Sequence, residues 1–253
     1  MKTVLLEQSN DGITWIRLNR EERRNAINIE MMEELDAALS AAEEDESRIV
    51  VITGVGQKAF CGGGDLSVFH KLKTEAEAKE MLLKMGTILE RLFFFPKVTV
   101  AALNGTAVGG GCEIASACDL RIAAPHAKIG FVQGAQGITT GWGGGTLLTE
   151  RLTQLAAMEM LMTARVYHSE EARELGFLQD VIVEDSFQEG VKNWMAPYLK
   201  QNKGVLSAYK ARLIDRFDRQ MIHNRMNNEI NECARLWETD DHHEAVQRFL
   251  EKR

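Results

Sequence analysis

What this 253-residue chain lacks removes several classes of function. Its four cysteines, Cys61, Cys112, Cys118 and Cys233, include no C-x-x-C pair and no zinc-like spacing, so free thiols in a reducing compartment are the expectation. No apolar run is long enough to span a membrane, and the one near Met1 is far too short for a secretory signal. A cytoplasmic protein without membrane attachment is expected. Positive charge is not in excess: 30 Lys and Arg against 37 Asp and Glu give a formal charge of −7. That balance argues against a general nucleic-acid binder, which needs a basic face. A local cluster at Arg17, Arg20, Arg23 and Arg24 still suffices for an anionic small molecule. Repeats, low-complexity tracts, flexible linkers and a P-loop signature are absent too. No metal centre is expected, because Asp240, Asp241, His242, His243 and Glu244 read as a solvated acidic cap on the last helix.

Glycine, by contrast, is concentrated in three loops. Residues 104–113 read NGTAVGGGCE, after the β-branched run KVTVAAL and before an alanine-rich helical segment. Three consecutive glycines let backbone approach a ligand closely, and a helix opening leaves N–H groups free to bind negative charge. Glu113 follows one turn later, within reach to move a proton. A second triplet, Gly62 to Gly64, also follows a β-like run, at residues 48–53. Ligands of α/β sheets bind beyond the carboxyl ends of strands, where both loops belong. Two donor loops converging on one carbonyl oxygen suit an enzyme that makes an enolate. The third loop, Gly141 to Gly145, either lines the same cavity or turns into the next helix. Gly54 to Ala59 matches a dinucleotide fingerprint only formally, because Phe60 to Gly64 breaks the helix it must open. Cys112 is read as a small buried residue behind the glycine turn rather than a nucleophile.

Residues 4–19 read as a hairpin turning through Asn10, Asp11 and Gly12. Asn28 is placed to cap a helix over 29–44, with Met32, Leu35 and Leu39 on one face. A buried strand follows at 48–53, a helix at 74–94 ended by Pro96, and a strand at 97–103. A short helix through 114–117 precedes strands in CDLRIAA and at 128–131. Such alternation predicts an α/β fold with a largely parallel sheet. Helices at 146–155, 156–163 and 169–175, a strand at 178–183, and an almost wholly helical remainder come next. The expected division is a core over residues 1–195 and a C-terminal helical region over 196–253.

Together these residues resemble the crotonase, or enoyl-CoA hydratase/isomerase, superfamily. The carriers are Arg24 to Asn28, Lys58 to Asp65, Asn104 to Glu113, Cys118-Asp119, the Gly141 to Gly145 loop and Ser169 to Gly176. The resemblance implies a crotonase-like spiral of β-β-α turns with C-terminal helices, assembled as a homotrimer or a dimer of trimers. It also implies an acyl-CoA thioester substrate, with CoA part of the substrate and no separate cofactor. By similarity, the N–H groups of Gly64 and Gly110 form the oxyanion hole and Asp65 shapes the first loop. Arg24 and Ala26 lie where the nucleotide part of CoA is met, while Gly62, Leu66 and Gly141 belong to the substrate-binding set.

One departure bears on the reaction. Hydratases of this family carry a second glutamate about twenty residues after the first, and here that position is Gln133. Glutamine orients water or a carbonyl but is neither acid nor base. Residues 128–133 and 141–144 look more like the ethylmalonyl-CoA and methylmalonyl-CoA decarboxylase branch. Phe131, Val132 and Trp142 would then supply an apolar wall that favours loss of a carboxylate, although core packing explains Phe131 equally well. The expectation is an acyl-CoA lyase with Glu113 as proton donor, decarboxylation placed ahead of enoyl-CoA hydration and isomerisation third. A family member that binds CoA or RNA without chemistry, or a thioesterase using Glu113 or Cys112, are the alternatives.

Overall fold

A computed structural model describes residues 1–9 and 11–251. Strands β1 (Val4–Gln8) and β2 (Ile13–Leu18) form the predicted hairpin, antiparallel from Val4 opposite Leu18 to Gln8 opposite Thr14. Of its predicted turn, Asn10 lies outside the described residues, and Gly12 takes φ +90°. Helix α1 (Ile29–Glu44) starts where Asn28 accepts a hydrogen bond from Met31 N at 2.9 Å. Next come β3 (Ile49–Gly54), β4 (Ala59–Cys61), α2 (Leu66–Phe69) and α3 (Glu75–Phe93). Thr74 and Glu77 cap α3 reciprocally. The chain continues through β5 (Val98–Leu103), β6 (Thr106–Val108), α4 (Gly110–Ala117), β7 (Leu120–Ala123) and β8 (Lys128–Gly130).

The strands divide between two sheets, in the orders β2-β3-β5-β7 and β4-β6-β8, each running parallel. From β3 to β8 each turn of the chain adds one strand to each sheet, giving the β-β-α spiral. All six residues of β3 are buried, as in a strand covered on both faces. Val50 and Ile52 face the core beneath α1 and α3, and Ile49 and Val51 face a second core on the opposite side. The first two glycine loops emerge from the carboxyl ends of β4 and β6, neighbouring parallel strands of the smaller sheet.

Beyond β8 the chain forms α5 (Gly144–Arg151), α6 (Gln154–Met162), β9 (Tyr167–His168), α7 (Ser169–Glu174) and β10 (Asp180–Val181). β10 joins the larger sheet beside β7, and β9 pairs antiparallel with β8. The helix expected at 146–155 begins two residues earlier and stops at Arg151. Thr153 is the reason: its hydroxyl accepts from Ala156 N and starts α6. Four helices complete the chain: α8 (Phe187–Leu199), α9 (Lys203–Asp215), α10 (Arg219–Trp237) and α11 (Asp240–Glu251). α8 covers the second core with Val191 and Met195. α10 packs on α3 and α5, and α11 on the 3-10 turn Val132–Gln136. Among the described residues no helix is long and apolar enough to cross a membrane.

Candidate active site

The two glycine loops meet. Ile27 N donates to Gly63 O and Asp65 N to Ile27 O, both at 2.8 Å, pinning the first loop in a parallel bridge opposite Gly64. The bridge uses the groups on either side of Gly64 and leaves the Gly64 N–H out of it. Gly63 takes φ +91° and Gly109 φ +54°, values that favour glycine. A Cβ on Gly63 would stand 3.1 Å from Val108 O and 3.3 Å from Gly110 N, so any larger residue would push the loops apart. Gly110 is the first residue of α4, where an N–H has no intrahelical acceptor. Among the described residues no acceptor pairs with the N–H of Gly64 or Gly110. Two unpaired donors therefore lie where the loops meet.

That point opens into a cavity of about 160 Å³ lined by Gly62, Gly64, Leu66, Gly110, Glu113 and Trp142. Gln133 and Gly141 border it as well. Glu113 is 3% exposed and fully bonded. Its Oε2 accepts from Trp142 N and Gly144 N at 2.9 Å, and its Oε1 from Gln133 Nε2 at 2.9 Å. Burial, then the negative charge of Glu229, raises this carboxyl to about 7 against the hydrogen bonds that favour its ionised form. It can thus hold a proton at neutral pH. The third glycine loop does both things expected of it: Gly141 and Trp142 line the cavity, and Gly144 opens α5.

Two unpaired backbone donors and one buried, protonatable carboxyl border the same cavity, an arrangement suited to enolate chemistry. The sequence pattern of the Enoyl-CoA hydratase/isomerase family matches residues 8–253. The chain belongs to this family. It is 30% identical to the short-chain-enoyl-CoA hydratase of Clostridium acetobutylicum, over 100% of this chain and 96% of that protein. It is 33% identical to the ethylmalonyl-CoA decarboxylase of Xenopus tropicalis, over 84% of this chain and 72% of that protein. Among solved structures, the enoyl-CoA hydratase of Bacillus halodurans superposes with a TM-score of 0.88 at 25% identity, covering 97% of this chain and 99% of that one.

Within this enoyl-CoA hydratase/isomerase family enzyme, other expected site residues stand behind the cavity wall. Asp65 caps α2 through Ser67 and pairs with Arg20 at 2.8 Å. Burial works against its charge, but those two partners hold the carboxyl below the usual range. Arg20 also donates to Ala26 O, and Arg24 O accepts from Gly62 N at 2.9 Å, so this segment braces the first loop. The Arg24 side chain itself is exposed. Phe131 is a correction: it stacks edge-on against Phe177, centroids 6.2 Å apart, and borders a neighbouring recess instead of the Glu113 cavity. Val132 takes the wall position.

Sequence reasoning missed the cavity's outer wall. Cys233 and Trp237 of α10, with His242 and Phe249 of α11, close it, so this chain's C-terminal helices cover its own site. The sequence places His242 in a solvated cap, yet it is 1% exposed, bonds through Nδ1 to Gln136 O and stacks 4.6 Å from Trp237. Its polar neighbours in sequence concealed it, and only the i, i+3 and i, i+4 spacing to the buried Ala245 and Val246 pointed inward. Cys112 bonds to Ala107 O at 3.0 Å, and burial raises its thiol, as fits a packing residue. Gly54 to Ala59 leads into β4 and opens no helix. Among the described residues no group of three His, Cys, Asp or Glu is placed to hold a metal.

Proposed function

We propose that the chain is an acyl-CoA lyase working through a thioester enolate, and that its reaction is decarboxylation of a short, branched malonyl-type CoA. The observation that carries this reading is the lone buried carboxylate in the cavity, Glu113, with Gln133 hydrogen-bonded to it where a second acid would be needed for two-carboxylate hydration. In the proposed step the bond between the substrate's α-carbon and its carboxylate breaks and CO₂ leaves. The electron pair moves onto the thioester oxygen between the Gly64 and Gly110 N–H groups. The α-carbon then takes a proton from Glu113, which solvent replaces. A carboxyl raised to about 7 supports this, because a neutral Glu113 does not repel the substrate's carboxylate. The apolar surfaces of Leu66, Val132 and Trp142 favour loss of charge from the substrate.

No cofactor beyond the CoA of the substrate enters this scheme. The enzyme is proposed to be cytoplasmic and to assemble as a homotrimer or a dimer of trimers. Exposed apolar stripes support assembly, with Leu155, Met158 and Met162 on α6 and Val205, Tyr209 and Leu213 on α9. The proposed C-terminal helical region covers the active site through α10 and α11.

Enoyl-CoA hydration with Glu113 alone is the second reading, favoured by the full-length likeness to a short-chain-enoyl-CoA hydratase. Incubating the protein with ethylmalonyl-, methylmalonyl- and crotonyl-CoA, followed by mass spectrometry, separates the two. Loss of CO₂ supports the first, and gain of water with no loss of CO₂ overturns it.

A further inference from the structure

Position 133 holds glutamine, yet a second buried carboxylate stands beside Glu113 and comes from another part of the chain. Helix α5 begins after Gly143, and its first N–H groups have no intrahelical acceptors. Glu113 takes the first of them, from Gly144, at 2.9 Å. Glu229, on α10, takes the next two: Gly145 N at 3.0 Å and Thr146 N at 2.7 Å. The Thr146 hydroxyl adds a third bond to Glu229 at 2.7 Å, and the Thr140 side chain also bonds to it. Two carboxylates thus share one helical turn. Glu113 faces the cavity, and Glu229 faces the recess that Thr140, Thr149 and Arg225 border.

We infer that Glu229 is a positioning residue for Glu113: it fixes the turn whose amides hold the Glu113 carboxylate, and its charge sets how tightly Glu113 keeps its proton. A helix N-terminus offsets roughly half an elementary charge, so one turn in a buried site does not sustain two ionised carboxylates. The titration of Glu113 is therefore coupled to the charge of Glu229. Burial raises Glu229 as it does Glu113, and the charge of Glu229 is the next cause of the rise at Glu113.

The groups around the pair leave it uncompensated. Cys112 on α4 and Cys233 on α10 are thiols raised by burial and by Glu113 itself. His242 on α11, across the cavity, is lowered by its burial and so is neutral. Arg225, four residues before Glu229, pairs with Glu150 and Thr149 on α5. Glu232 pairs with Arg235.

The test is Glu229→Gln, which keeps an acceptor oxygen for the amides and removes the charge. Carboxyl ¹³C NMR of Glu113 gives the titration midpoint without reference to any reaction. We expect the midpoint to fall by about one pH unit or more, with Glu229→Asp, which keeps the charge, staying near wild type. The limb of the kcat/KM profile governed by Glu113 should move by the same amount. An unchanged midpoint in folded Glu229→Gln overturns the inference. Should that variant not fold, the wild-type Glu113 resonance decides, because coupling requires a two-step titration and a single step overturns it. The kinetic arm rests on the proposed role of Glu113 and the NMR arm does not. A shifted midpoint with an unshifted rate profile would therefore remove Glu113 from proton transfer and leave the inference standing.

Discussion

The Trp142 ring lies against Gly110 so closely that a methyl group on Gly110 would overlap its Cζ3 and Cη2 atoms. Both residues are buried, and Trp142 is 4% exposed, so neither has room to withdraw. Gly110→Ala should displace the N–H at the start of α4 and cost about 100- to 1,000-fold in kcat, the usual loss for one oxyanion donor. Gly134→Ala is the matched control. Its added methyl would meet only Ala164 Cβ at 3.5 Å, an ordinary contact. Steady-state kinetics beside circular dichroism checks both, and an active, folded Gly110→Ala would rule out this amide as a donor.

Glu113→Gln should lower turnover by roughly 100- to 10,000-fold, the range for a positioned acid or base. Acyl-CoA affinity should change little, because the thioester is held by backbone and apolar wall. Isothermal titration with a non-reacting acyl-CoA, run beside the kinetics, separates the two effects.

The pH profile distinguishes the two reactions. If Glu113 delivers a proton to an enolate, it must start protonated, and kcat/KM should decline as pH rises through about 7. If it takes a proton from water in hydration, the rate should instead climb over that range.

Stability carries the same signature. The folded carboxyl of Glu113 is raised from 4.5 to about 7, so folding favours its protonated form. That contribution is complete below pH 4.5 and is lost as pH rises toward 7, by about 3 kcal/mol at roughly 1.4 kcal/mol per unit. Glu113→Gln, which cannot ionise, should therefore gain stability relative to wild type between pH 5 and pH 8. Urea melts of both proteins at the two pH values measure this difference.

Asn25 sustains the first loop at a distance. It is buried at φ +55°, accepts from Arg20 N, and donates to Val55 O and Ala59 O at 3.0 and 2.8 Å. Asn25→Ala leaves those backbone groups unpaired and removes a residue type that tolerates this conformation. We expect a loss of about 2–3 kcal/mol, read from denaturant midpoints at constant slope.

Much of this was legible in the chain because local chemistry and tertiary role agree. Asn28 caps α1 where a side-chain acceptor was expected, and β3 is buried on both faces as its unbroken apolar run implied. Gly62 to Gly64 and Gly109 to Gly111 gave away the meeting loops, since so much glycine has few other uses. β4, β6 and β9, of three, three and two residues, left no periodic trace, which hid the second sheet. Glu229 and His242 escaped for another reason. Each sits among charged neighbours on an amphipathic helix, and only packing against α5 and the turn at 132–136 turns it inward. Phe131 shows the converse: an aromatic beside catalytic residues in sequence need not share their cavity.

The reaction centre and its outer wall are drawn from different kinds of chemistry. The proposed oxyanion donors are main-chain amides of Gly64 and Gly110, and among side-chain changes only proline removes the N–H itself. The enclosing surface is made of side chains, including Cys233, Trp237 and His242, on helices that follow the last strand. Single substitutions at these lining positions can therefore reshape what is admitted while leaving bond-making intact. Heredity can vary this protein's diet without rewriting its reaction.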